Sequence, residues 1–220
     1  NSCPFPAFSY ATVKIKVVND PPLPPDLSGS CVSIQPNGDI MFDWVPQDSG
    51  KIAFDYHTIY RSNNGGTFTA IDSIPDYSIT SYTDVGAPAG LNRYYMRAYG
   101  GCNLVSGPSD TIQSIVLGLT AVPPPPNSSI AQLTWNPKNP SGPYGESYEI
   151  WREICGSNSW ELVSTTTGLS YSDTVNVCGD CLRYQIRING MCNSTTDSGY
   201  FADQSNTDVI LLDSVSVIGG

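Results

Sequence analysis

Arg93-Tyr94-Tyr95-Met96-Arg97-Ala98-Tyr99-Gly100-Gly101-Cys102-Asn103 returns later in the chain as Arg183-Tyr184-Gln185-Ile186-Arg187-Ile188-Asn189-Gly190-Met191-Cys192-Asn193. In both copies an apolar or aromatic residue (Tyr94, Met96, Ala98; Tyr184, Ile186, Ile188) alternates with a polar one (Arg93, Arg97; Arg183, Arg187). Period two with one apolar face predicts a half-buried strand, and the shared Gly, Cys and Asn mark the loop after it.

The recurrence extends well beyond this strand. Trp44-Val45-Pro46 returns as Trp135-Asn136-Pro137, Ile59-Tyr60-Arg61 as Ile150-Trp151-Arg152, and Ser81-Tyr82-Thr83-Asp84 as Ser170-Tyr171-Ser172-Asp173. A spacing of about ninety residues is that of a repeated whole domain, not of a solenoid unit. The expected units are 21–118 and 119–213, each of a size at which one sandwich core is self-sufficient.

Thirteen Tyr, 20 Gly, 18 Pro and 14% charged residues suit an all-β chain. No stretch combines a long 3.6-residue period with helix caps, so essentially no helix is expected. A net charge of −10 argues against nucleic acid, which needs clustered Lys and Arg. The chain lacks an apolar run of about eighteen residues, so no membrane-inserted helix is expected. Seven cysteines point to an oxidising, extracellular or cell-surface setting.

Thr12–Val18 alternates as a strand and is followed by the stiff Pro21-Pro22-Leu23-Pro24-Pro25 segment. Residues 1–20 therefore read either as the last strand of a preceding domain, with Cys3 separated from its partner, or as a strand added to the first unit's edge. In the first unit, strands are expected at Cys31–Ile34, at Ile40/Phe42/Trp44, and at Phe54–Arg61. Further strands are expected at Thr67–Ile74, Ser81–Val85, Arg93–Tyr99 and Thr111–Leu117. The second unit repeats the plan, with Pro123–Pro126 in its first turn. Ser114–Val122 matches Val209–Val217, so each last strand runs almost directly into the next unit, without a Gly/Ser linker. A stiff rod follows, with 214–220 opening a further domain.

These residues together (the early Trp followed by Pro, Ile59-Tyr60-Arg61-Ser62, Ser81-Tyr82-Thr83-Asp84, and Tyr94-x-Met96-x-Ala98) resemble fibronectin type III domains. More narrowly, they resemble tandem copies of the kind found in large secreted surface and gliding-motility proteins of Bacteroidetes. The resemblance covers both units and implies immunoglobulin-like sandwiches stacked end to end, with strands A, B, E packed on C, C′, F, G. Several cysteines depart from the family pattern. In the implied topology Cys155 ends strand C and Cys181 begins neighbouring strand F, so a Cys155–Cys181 bridge is expected. Cys31 on strand A and Cys102 after strand F lie toward one pole, giving a second expected bridge, Cys31–Cys102. Cys178 and Cys192 fall at opposite ends of strand F, and Cys3, Cys178 and Cys192 have no assigned partner.

His57 is the only histidine and matches Tyr148, which favours a structural ring over a base or ligand. Cys178-Gly179-Asp180-Cys181 precedes a strand rather than a helix N-terminus, so a structural disulfide is favoured over redox or zinc chemistry. Asn127-Ser128-Ser129 and Asn193-Ser194-Thr195 fit the N-glycosylation tripeptide. Tyr200-Phe201, placed by the repeat in a lengthened last loop, is the binding candidate, with packing against its own sheet as the plainer reading. No catalytic motif, metal set or cofactor motif is found. The expected function is a non-enzymatic, monomeric structural and adhesive segment that contacts neighbouring domains and glycans or surface polymers. An accessory region of a secreted polysaccharide-degrading enzyme is the alternative, and a glycosylated receptor ectodomain a third reading.

Overall fold

In the computed structural model, strands β6 (Asn92–Gly100) and β14 (Asp180–Ile188) bury every second side chain, with Tyr94, Met96, Tyr184 and Ile186 fully enclosed. The structure describes residues 11–14, 21–47, 54–122, 129–141, 145–175, 180–188 and 192–201. The expectations for Cys3, the end of the Thr12–Val18 strand, Pro123–Pro126, Asn127, Cys178 and 202–220 lie outside the described residues. Residues 11–14 are exposed and form no strand.

The first set of strands comprises β1 (Ser33–Ile34), β2 (Ile40–Asp43), β3 (Phe54–Asn63), β4 (Thr69–Ile74) and β5 (Ser81–Asp84), then β6, β7 (Leu104–Val105) and β8 (Ile112–Gln113). They form a β1-β2-β5 sheet and a β4-β3-β6-β7 sheet, with β8 also on β6, all antiparallel. The second set is β9 (Leu117–Val122), β10 (Ser129–Trp135), β11 (Tyr148–Ile154), β12 (Trp160–Thr166), β13 (Ser170–Val175), β14, β15 (Cys192–Asn193) and β16 (Asp197–Phe201). Its sheets are β13-β10-β9 and β12-β11-β14-β15, with β16 also on β14. The chain is thus all-β, built as two immunoglobulin-like sandwiches.

Each pair of sheets encloses its own core. Phe42, Trp44, Ile59, Tyr94 and Met96 belong to one, and Leu133, Trp135, Ile150, Tyr184 and Ile186 to the other. Ring contacts such as Phe42 to Tyr94, at 4.9 Å between centroids, join the facing sheets. The strand expected over Thr111–Leu117 divides instead. Ile112–Gln113 pairs with β6, while Leu117 already faces Trp135 in the second sandwich. The register of β3 on β4 shifts between Ile59 and Tyr60, and that of β11 on β12 at the matching Ile150 and Trp151. These bulges let the extra residues Ile71 and Val163 pack against the cores.

A buried carboxylate ties the two sheets together in each unit. Asp84 on β5 accepts from Arg61 Nη1 on β3 at 2.7 and 2.9 Å and from Tyr94 Oη on β6 at 2.8 Å. Asp173 on β13 likewise accepts from Arg152 Nη1 on β11 and Tyr184 Oη on β14, both at 2.8 Å. Each aspartate is only 5% exposed. Burial first, and then the bond to the carboxylate, push both tyrosine pKa values well above the ordinary range. Removing one member of such a set leaves an uncompensated buried group. Asp84→Ala or Asp173→Ala should therefore lower the unfolding free energy in urea by about 3 kcal/mol. Tyr94→Phe, which leaves the ion pair intact, should cost about 1 kcal/mol. A loss below about 1 kcal/mol for both aspartates would show that the clamp does not hold the sheets.

Candidate functional site

The segment between the two cores is held from both sides. Gln113 donates from Nε2 to Pro137 O (2.7 Å) and from its backbone N–H to Lys138 O (3.3 Å). Asn136 donates from Nδ2 to Ser114 O (2.9 Å) and accepts at Oδ1 from Val116 N–H (2.8 Å). Thr195 donates its backbone N–H to Ile115 O (3.0 Å) and accepts at Oγ1 from Leu117 N–H (2.8 Å).

The disulfide Cys31–Cys192, with Cα atoms 5.7 Å apart, adds a covalent tie between the units. This corrects the expected Cys31–Cys102 bridge, since Cys102 is a free, exposed thiol. The reason is polarity along β6. Cys102 follows its Gly100 end, whereas Ile34 and Ile40, just past Cys31, lie beside Asp84 near its other end. A nine-residue strand separates the two poles by roughly 25–30 Å. Cys155 pairs with Cys181, Cα atoms 5.3 Å apart, as the sandwich topology implies.

Beside the junction lies a cleft of about 600 Å³. One wall is the β1–β2 turn of the first unit, with Ile34, Gln35, Pro36 and Gly38. The other is the outer face of the second unit's five-stranded sheet, with Glu153, Trp160, Arg183, Gln185, Arg187 and Asn193. Alternation turns Arg183, Gln185 and Arg187 outward from β14. They interleave with the indoles of β11 and β12: Arg187 lies 4.4 Å from the Trp151 ring and 5.5 Å from Trp160, and Arg183 lies 5.6 Å from Trp160. Glu153 is buried, accepts from Asn158 N–H at 2.7 Å and pairs with Arg183 at 3.4 Å.

The matching face of the first unit is aromatic. Tyr56 stacks on Tyr99 and Tyr60 on Tyr95, each with centroids 4.7 Å apart and planes 10° from parallel. Both pairs are direct cross-strand partners of β3 and β6, where such contacts stabilise by about 0.2–1 kcal/mol each. Phe68 packs on Tyr95 at 4.8 Å, and the Tyr60 and Tyr99 hydroxyls share a 2.7 Å hydrogen bond. That bond, then burial, pushes Tyr60 up to about 12. Tyr56 and Phe68 remain 37% and 38% exposed, so the face is open to a partner.

Sequence reasoning missed both faces, although Tyr95, Arg97 and Tyr99, and Arg183 and Arg187, occupy the outward positions of its own alternation. Tyr200 and Phe201 do not lie in a lengthened loop. They belong to β16, where Tyr200 faces Cys181 and Phe201 faces Asp180 across the ladder. The repeat matched the last strand to a point too far along the chain; only residues 194–196 separate β15 from β16. Asn193 and Ser194 of the glycosylation tripeptide lie at the junction, and Ser194 Oγ accepts from Ile186 N–H at 2.8 Å.

No family model and no curated protein matches the chain. Among solved structures it is similar to the chicken CNTN1 FN1–FN3 domains, at 12% identity over 83% of this chain and 68% of that one, with a TM-score of 0.38. It is also similar to a two fibronectin type III domain segment from chicken tenascin, at 21% identity over 83% of this chain and 99% of that one, with a TM-score of 0.31. The fold described above rests on the sheets, registers and cores of the chain itself.

His57 is 2% exposed, with Phe54 at 4.5 Å and Trp44 at 6.3 Å between ring centroids. Its Nδ1 has no hydrogen-bond partner among the described residues. Burial pushes its pKa down to about 4 from the ordinary 6.5. Between these values the unfolded chain takes up a proton that the folded one refuses, so stability is full above pH 6.5 and declines as pH falls toward 4. The loss across that window should be about 3 kcal/mol. Denaturant melts of wild type and His57→Tyr between pH 7 and 4 should differ by that growing amount. Parallel curves would show that His57 gains its proton without unfolding.

Proposed function

We propose that this chain is a non-enzymatic structural and adhesive segment of a large extracellular cell-surface protein, spacing or presenting binding surfaces in gliding or attachment. The observation that carries this reading is the Cys31–Cys192 bridge. It joins Cys31 of the first unit to Cys192 in the second unit's core rather than crossing a single sandwich, so its effect falls on the orientation of the units. A fixed orientation is what a spacer needs. A disulfide of this kind also persists only where the surroundings are oxidising. The fibronectin type III resemblance of the sequence points the same way.

The aromatic face of β3 and β6 favours a second reading, an accessory, polymer-contacting region of a secreted polysaccharide-degrading enzyme. Flat exposed rings supply contact area at low entropic cost. A hydrolase domain encoded in the same gene would favour that reading, and further repeats with a surface-sorting tail the first.

Peptide mapping without reduction should recover Cys31 joined to Cys192 and Cys155 joined to Cys181, with Cys102 alkylated. Small-angle scattering of the oxidised chain should fit one elongated shape. The Cys31→Ser/Cys192→Ser variant should show a wider spread of interunit angles. A broad spread already in the oxidised wild type would sink the spacer reading.

A further inference from the structure

We infer that the junction cleft is a binding site for an acidic sugar, a uronic acid or sulfated residue within a polysaccharide. The inference rests on the two units being held together as described, but not on what the parent protein does.

The starting point is Arg187. Its Nε donates to Gln185 Oε1 at 2.9 Å, while its two terminal nitrogens have no hydrogen-bond partner among the described residues. The guanidinium carbon lies 4.4 Å from the centre of the Trp151 ring and 5.5 Å from that of Trp160, so the two indoles and Gln185 hold the group in place before any ligand arrives. Its terminal nitrogens form a planar fork of N–H donors, the geometry that matches a carboxylate or sulfate. Burial lowers the Arg187 pKa, with Glu149 partly opposing that shift, so an added anion would supply compensation now incomplete.

The surrounding groups favour the same ligand. Because Gln185 Oε1 is occupied by Arg187, the amide is oriented to offer its Nε2 donors elsewhere. Among the described lining residues the carboxylate is Glu153, which is buried and engaged by Arg183 and the Asn158 N–H, while Glu149, facing Arg187 across the ladder, accepts from Trp151 Nε1 at 2.9 Å. Side-chain amides of Gln35 and Asn193 complete the rim from both units, and each carries a donor and an acceptor suited to sugar hydroxyls. A peptide's carboxylates would meet the same Arg187 fork, so polyglutamate is the competing ligand in the test. A cleft of about 600 Å³ lies within the range of small-ligand sites. The first unit cannot build the same site on its own face, because Tyr95 occupies the position of Gln185 and is stacked on Tyr60.

The test is calorimetric titration of the whole oxidised chain with oligogalacturonate, carrageenan oligosaccharides (sulfated but free of uronic acid), cellohexaose and polyglutamate, with Trp fluorescence followed in parallel. Binding of either acidic oligosaccharide but not of cellohexaose or polyglutamate is expected, weakening as salt rises; which acidic arm binds identifies uronate or sulfate. Arg187→Gln should weaken it by about tenfold or more, the loss expected of a charge-assisted hydrogen bond. Gln185→Met, which spares the indole stack, should weaken it less, and Cys31→Ser/Cys192→Ser should weaken it because the cleft has a wall from each unit. No binding by the folded wild type, equal binding of polyglutamate, or binding unchanged in both Arg187→Gln and Gln185→Met would overturn the proposal. A stiff rod in scattering with no sugar binding would remove this site while leaving the spacer reading intact.

Discussion

A carboxylate sealed between two sheets can be tolerated only where its donors are waiting, and that constraint organises both halves of this protein. Asp84 meets Arg61 and Tyr94, and Asp173 meets Arg152 and Tyr184, each set drawing one residue from the small sheet and two from the large one. Apolar packing alone would accept several alignments of the facing sheets. A buried charge accepts the one in which an arginine and a tyrosine converge on it. A slip of β5 by one residue would turn Asp84 to the other face and leave Arg61 unpaired. Three of the recurring sequence fragments, those carrying Arg61, Asp84 and Tyr94, meet at this point.

The two units agree inside and diverge outside. Tyr94 and Tyr184, Met96 and Ile186, and Trp44 and Trp135 serve the same inward roles. On the outward positions of the same strands, one unit stacks tyrosine on tyrosine while the other threads guanidinium groups between indoles. Repetition of the inner pattern therefore maintains a scaffold, and the outer faces are where the units differ in what they can recognise.

That division also explains what could be read from the sequence. Inward alternation is periodic, so strands, sandwich class and the Cys155–Cys181 neighbourhood followed from local pattern and topology. The Cys31–Cys192 bridge did not, because a repeat invites pairing within each copy, and nothing local shows that a cysteine near one pole faces the next unit. Outward residues look like ordinary polar positions in a one-dimensional pattern. The Trp151–Arg187–Trp160–Arg183 stack exists only once a third strand, β12, is placed alongside. Tyr200 and Phe201 were misplaced because matching copies by spacing fails wherever loops differ in length.

The junction disulfide also decides how the protein carries load. A pull applied on the N-terminal side of Cys31 and the C-terminal side of Cys192 travels across the bridge and never enters the 161-residue span it closes. Unravelled, a span of that length would lengthen the chain by roughly 550 Å. With the bridge intact, the strands between Cys31 and Cys192 lie outside the line of tension; only the flanking segment of Leu27 and strand β16 carry load, and extension of the closed span awaits a reductant.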